Sequence, residues 1–91
     1  MPDDIVRVVA ADDYSEVFLA GGASVLHPEP LQKLVERLPR HLVRIHRSHA
    51  INLSHLRAFR NGRASSVLLS DQSVAPVSRR QVPALRAALE G

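Results

Sequence analysis

The sequence predicts a mainly β fold, and three observations carry that reading. Short β-branched runs recur along the chain, separated by turn signals such as Gly21-Gly22 and Asn61-Gly62. Helical periodicity is confined to two short segments. The apolar fraction of 45% over 91 residues supports one small core. The expectation is about seven or eight short strands and two short helices in a single domain spanning 1–91.

Ile5-Val6-Arg7-Val8-Val9-Ala10 is a strand by its β-branched content. Ala11-Asp12-Asp13-Tyr14-Ser15 is a polar turn, and Glu16-Val17-Phe18-Leu19-Ala20 returns as a second strand. Gly21-Gly22 marks a hairpin, Ala23 to Leu26 is a third short strand, and His27-Pro28-Glu29-Pro30 breaks the sheet. Leu31, Leu34, Val35 and Leu38 then form an apolar stripe at helical spacing, with Pro30 suited to the first helical position and Pro39 stopping the helix. Leu42 to Leu53 reads as a strand running into a turn. Leu56 to Arg60, a type I′ turn at Asn61-Gly62, and Ser65 to Leu69 make a second hairpin. Val74-Ala75-Pro76-Val77 is a strand whose Pro76 belongs at an edge or an end. Ser78-Arg79-Arg80-Gln81 has capping-box spacing ahead of a final helix carrying Val82, Leu85 and Leu89, in which Pro83 is either awkward in the second turn or marks the helix start.

Composition removes several function classes. There is no cysteine, hence no disulfide and no thiolate metal site, which fits a reducing cytoplasm. No apolar run approaches the roughly 18 residues of a membrane span, and the acidic start Met-Pro-Asp-Asp is not a secretory signal. The histidines are irregularly spaced with no acid between Arg37 and Ser70, so a metal site is not expected. No nucleophile elbow or Gly-rich loop supports an enzyme, and no cofactor is implied.

The net charge of +3 hides a segregation: residues 1–36 carry a net −5 and residues 37–91 a net +8. Eleven of the twelve basic residues are arginine, whose planar fork suits guanine edges and phosphates. A GC-rich genome accounts for part of the arginine bias but less well for its segregation. Leu-Val-Arg-Ile-His-Arg-Ser-His-Ala-Ile-Asn-Leu at 42–53 concentrates Arg44, His46, Arg47 and His49 between aliphatic anchors, an arrangement suited to an anionic ligand. Arg79 and Arg80 stand at a strand-to-helix junction, where free backbone N–H groups favour anions.

Val43-Arg44-Ile45-His46-Arg47-Ser48, continuing to Ile51-Asn52-Leu53, resembles the F-V-R-x-H-R-S-x-x-V-N-x signature of the LytTR-type DNA-binding domains of bacterial response regulators. Pro76-Val77-Ser78-Arg79-Arg80 is similar to that family's P-V-S-R-R motif, and the intervening elements follow the family's order over nearly the whole chain. The resemblance implies an elongated stack of small antiparallel β-sheets with one short internal helix and a short C-terminal helix. It implies sequence-specific binding of double-stranded DNA in transcription regulation, with loops entering successive major grooves. It also implies tandem sites, a homodimer on DNA, and an upstream receiver or sensor domain.

On this chain the family's base-reading positions fall at Tyr14, Arg47 and Arg79. Ser48, Ser78, Arg80 and Arg63 suit phosphate contacts, while His46 and Asn52 suit support of the turn. Arg44, alternating with Val43 and Ile45, fits a structural or a functional role equally. Three departures stand out: Leu42 replaces the usual aromatic, His49 a Tyr or Phe, and Ala50 a larger aliphatic. The first loop is acidic at Asp12, Asp13 and Glu16, so Tyr14 or Ser15 would have to dock by hydrogen bonding. The alternative reading from another class is a protein-interaction module whose basic face meets an acidic partner.

Overall fold

Alternating burial along Ile5–Ala11 builds the strand on which the larger sheet is assembled, and the computed structural model describes residues 2–91. After a 3-10 turn at Pro2–Asp4, β1 (Ile5–Ala11) pairs with β2 (Tyr14–Leu19), and β2 pairs with β3 (Ser24–His27). The helix α1 (Leu31–Arg37) follows, then β4 (Leu42–His46) and β5 (His49–Asn52). A 3-10 turn at Leu53–His55 leads to β6 (Leu56–Arg60), β7 (Ser66–Leu69) and β8 (Val74–Pro76). The chain ends through a 3-10 turn at Arg79–Gln81 into α2 (Val82–Glu90). All pairings are antiparallel, giving a five-stranded sheet of order β3-β2-β1-β5-β4 and a three-stranded sheet β6-β7-β8. The fold is mainly β with two short helices, and its longest dimension, 33 Å, exceeds the other two, 25 and 23 Å.

The larger sheet packs a core on each face, and a β-bulge in β1 contributes to that. In a regular strand Val6 and Val8 would share a face. The register shift between Ile5 and Arg7 inserts one residue, so Val6 joins one core and Val8 the other. On one side Val6, Ile45 and Ile51 pack with Val67, Leu69, Ala75, Val77 and Leu85 from the smaller sheet and α2. On the other side Val8, Val17, Leu42 and Ala50 pack against Leu31 and Leu34 of α1, with Val35 and Leu38 completing the stripe. Val43, Ile45, Ile51 and Leu53 all enter the first core, so the aliphatics of the central stretch hold its polar residues outward.

Four local expectations change. The central stretch is a hairpin rather than one strand and a turn. His49–Asn52 forms β5, wedged between β1 and β4 by the pairs Arg7–Ile51 and Val43–Ile51. Its two apolar residues, Ala50 and Ile51, serve opposite cores, so four residues carried no alternation to read. Asn61-Gly62 is not a type I′ turn. Arg60 pairs with Ser66, leaving a five-residue loop in which Ser65 Oγ donates to Asn61 Oδ1 at 2.9 Å, and Gly62 does not have the positive φ that turn requires. Ser78 makes no side-chain cap, because Arg79–Gln81 forms a 3-10 turn closed by Gln81 N–H to the Ser78 carbonyl. The first loop is also tighter than expected: β2 begins at Tyr14, opposite Ala11, and Asp12 absorbs the reversal at φ 56°. Pro30 precedes α1 as its cap residue, Pro83 lies in the first turn of α2, and Pro76 ends the edge strand β8.

Asn52 is 2% exposed at the end of β5. Its Nδ2 donates to the Ile5 carbonyl at 2.9 Å, and its Oδ1 accepts from the Ser54 N–H and hydroxyl at 3.1 and 2.8 Å. One side chain thus ties the β5 exit to the start of β1. Removing it leaves buried backbone groups unsatisfied, so Asn52→Ala is expected to lower unfolding free energy by about 1–3 kcal/mol. Urea denaturation at neutral pH checks the value.

Candidate nucleic-acid interface

The β4–β5 turn is held from within by polar atoms of its own hairpin. The Ser48 N–H donates to His46 Nδ1 at 3.1 Å, which places the proton of a neutral His46 on Nε2. Arg44 folds its guanidinium back under the turn. Its Nε donates to the His46 carbonyl at 3.1 Å, one terminal nitrogen to the Arg47 carbonyl, and the other to Gln32 Oε1 on α1. With Arg44 so occupied, Arg47 at the turn is exposed.

A seam of backbone hydrogen bonds gathers the other loops around this turn. The Ala10 N–H donates to the Ser48 carbonyl at 2.8 Å, which brings the end of the β1–β2 hairpin alongside. The Ser78 N–H donates to the Ile45 carbonyl at 2.8 Å, and the Val77 N–H to the Ser65 carbonyl at 2.9 Å. These bonds draw the β8–α2 junction and the β6–β7 loop to the same edge of the molecule. The two arginine-bearing segments, about thirty residues apart in sequence, are therefore neighbours in space.

Two concavities lie along that edge. One, of about 390 Å³, is lined by His46, Arg63, Ser78 and Arg79 among others. The second, of about 540 Å³, is lined by Arg44, His46, Arg47, Ser78 and Arg80 with Gln32 and Gln81. His46 and Ser78 form the wall the two share. Arg47, Arg63, Arg79 and Arg80 are all exposed around it. No carboxylate lines either hollow. The two hollows thus offer planar cationic donors at several points and no carboxylate that would repel an anion.

The remaining candidates lie apart from this wall. Tyr14 opens β2 and is 48% exposed near the Ala10–Ser48 bond, but lines neither concavity. Ser48 uses its amide and carbonyl in holding the turn. Asn52 is buried at the far end of β5. Among the described residues no three His, Asp or Glu side chains converge as metal ligands, and no helix is long and apolar enough to cross a membrane.

Two features beneath the turn were not expected from the sequence. Arg7 lies with its guanidinium carbon 4.0 Å from the Phe18 ring centre, a cation–π contact within the sheet. His49 packs edge-on against His46, with ring centres 5.3 Å apart, and its Nδ1 is buried without a hydrogen-bond partner. Burial above all, then coulombic repulsion from His46 when it is protonated and from Arg7, holds the His49 pKa below its usual 6.5. The neutral ring is therefore favoured in the folded state. Its contribution to stability is complete above about pH 6.5 and is lost as the pH falls below that value. Urea midpoints should decline as the pH falls below about 6.5. His49→Phe, which keeps a flat ring and removes the titration, should flatten that decline relative to the parent chain.

Comparison with known proteins agrees with this architecture. The family profile of the LytTr DNA-binding domain matches residues 1–90. The chain is 36% identical over 89 residues to the CO-responsive transcriptional regulator RcoM of Rhodospirillum rubrum. That alignment covers 93% of this chain and 37% of the regulator, so the chain spans a little over a third of that relative's length. Among solved structures, the LytTr DNA-binding domain of a response regulator from Bacillus cereus superposes with a TM-score of 0.85 at 22% identity, covering 97% of this chain and 83% of the other. A two-sheet β architecture with Arg47, Arg63, Arg79 and Arg80 exposed along one edge, together with a profile match over nearly every residue, assigns the chain to the LytTR family of DNA-binding domains.

Proposed function

We propose that this domain binds double-stranded DNA in a sequence-specific manner, with its loops entering successive major grooves. The observation that carries the reading is the shared wall of His46 and Ser78, flanked by exposed Arg47 and Arg80 on one side and Arg79 and Arg63 on the other. An arginine fork matches O6 and N7 of guanine, and each such pair is worth roughly 1–3 kcal/mol of discrimination. Arg47 and Arg79 take that role. Arg80, Arg63, Ser48 and Ser78 contact phosphates and set the register of the protein on the duplex. Tyr14 adds a hydrogen-bonding contact from the first loop, whose Asp12 and Asp13 keep it away from the phosphate backbone. His46 and Asn52 act from behind, as supports of the turn and of β5.

The whole protein is proposed to regulate transcription, with two protomers on tandem sites and an input signal received by a segment outside this domain. The longer CO-responsive regulator with which the chain aligns supports a domain of this kind working beside another. The proposed activity is recognition, without catalysis and without a cofactor.

Selection of duplexes from a random pool, followed by titration of the selected site, tests the reading. Arg79→Ala and Arg47→Ala are expected to lower specific affinity by about 5- to 150-fold each, at separate base positions, with thermal melting unchanged. Arg80→Ala should instead weaken all duplexes alike and reduce the slope of log K against log salt by about 0.9. Equal affinity for selected and random duplexes would sink the claim of specificity. Full retention of specific binding in both arginine variants would sink the site.

A further inference from the structure

Arg44 is the one arginine of the central stretch whose side chain is spent on the protein itself. It lies on β4, the outer strand of the larger sheet, on the side facing α1. The bulge between Arg44 and His46 interrupts the ladder at Ile45, just before the last pair, His46–His49. Past that point the His46 and Arg47 carbonyls meet the Arg44 guanidinium. The third arm of the fork reaches Gln32 Oε1, and Gln32 in turn donates from Nε2 to Glu36 Oε2 at 3.0 Å, one turn along α1. A planar group thus bridges two successive carbonyls of the turn to a side chain whose amide is oriented from the helix.

We propose that Arg44 is a positioning residue for DNA recognition: its guanidinium fixes the backbone of the His46–Arg47 turn and anchors it to α1 through Gln32, so that Arg47 is presented to DNA in one orientation. The inference rests on the reading of Arg47 as a base contact. Three points separate it from the alternative that Arg44 is one more phosphate-binding cation. Its Nε and both terminal nitrogens are engaged with protein acceptors. It is half-buried, whereas Arg47, Arg79 and Arg80 are exposed. Two of its acceptors are the backbone carbonyls on either side of the peptide that carries Arg47, so a loss of grip is felt directly at the reader. Lysine retains the charge but presents its donors from a single point and cannot span the three acceptors. Arg44→Lys therefore separates geometry from electrostatics, and Gln32→Ala loosens the same clamp from an exposed helix position.

The experiment is a double-mutant cycle on the duplex that the parent chain selects from a random pool, with thermal melting recorded for every variant. Arg44→Lys is expected to weaken binding to that duplex about tenfold when Arg47 is present, and less than roughly twofold when Arg47 is already Ala. The salt slope should stay the same, because no charge is lost. In the free protein, 15N relaxation should show the order parameters of the Arg47 and Ser48 amides falling from about 0.85 towards about 0.6. Gln32→Ala should show a smaller version of both effects and keeps the test open if Arg44→Lys melts early. An equal loss of affinity in both backgrounds overturns the proposal, as does a turn that stays equally ordered in both variants. Should Arg47→Ala alone leave the selected duplex bound as before, the reading of Arg47 fails and Arg44 has no reader to position, while the relaxation data still decide whether Arg44 holds the turn.

Discussion

The edge at which the loops converge depends on one residue, Ile45, and on what its carbonyl does. Its side chain is fully buried in the core between the larger sheet and α2. The bulge at this position frees its backbone from the ladder with β5, and its carbonyl accepts the Ser78 N–H at 2.8 Å. A bulged residue re-aims the backbone around it. Here the extra residue lies two positions before Arg47, and the same residue receives the Ser78 amide that leads into the Arg79–Gln81 turn. The two arginine motifs are joined by a backbone bond, so their spacing is set by the fold and not by the length of flexible side chains.

That bond holds because the sheet on which it rests is covered on both sides. Val6 and Val8 enter opposite cores through the bulge in β1, and Ala50 and Ile51 do the same by simple alternation in β5. A small domain with two thin cores gains from every well-packed position, since its buried fraction is limited by its size. The polar groups within this construction are correspondingly constrained. Asn52 has partners at both ends of its amide, Arg44 spans three acceptors, and Arg7 rests on the Phe18 ring. Of the exposed arginines, four stand where the loops converge: Arg47, Arg63, Arg79 and Arg80.

Much of this was legible in the sequence, for reasons that differ by element. The hairpin of β1 and β2, the α1 stripe of Leu31, Leu34, Val35 and Leu38, and β6 could be read because each has a local period or a turn signal. β5 could not, because a four-residue strand buried on both faces has no alternation and is defined by its neighbours β1 and β4. The five-residue loop after β6 was hidden by the Asn61-Gly62 pair, whose turn preference loses to the Asn61–Ser65 bond and to the register at Ser66. The convergence of Arg47 with Arg79 was legible only through the resemblance of two motifs, since nothing in local spacing joins residues 45 and 78. The use of Arg44 was not legible at all: alternation places it on the face opposite Val43 and Ile45, but its acceptors on the turn and on α1 are products of the bulge and of tertiary packing.

The backbone seam has a consequence for how the domain comes into being. Its bonds join residue 10 to 48, 45 to 78 and 65 to 77, and the core beneath it is closed by Leu85 near the end of the chain. β1, the first strand made, must wait for β5 before both of its edges are paired. Contacts of such sequence separation place the domain among slower-folding topologies. A fragment ending before α2 lacks Leu85, which closes the core beneath this edge. A nascent chain emerging from the ribosome therefore displays its arginines singly, without their mutual geometry, until the last helix has been synthesised.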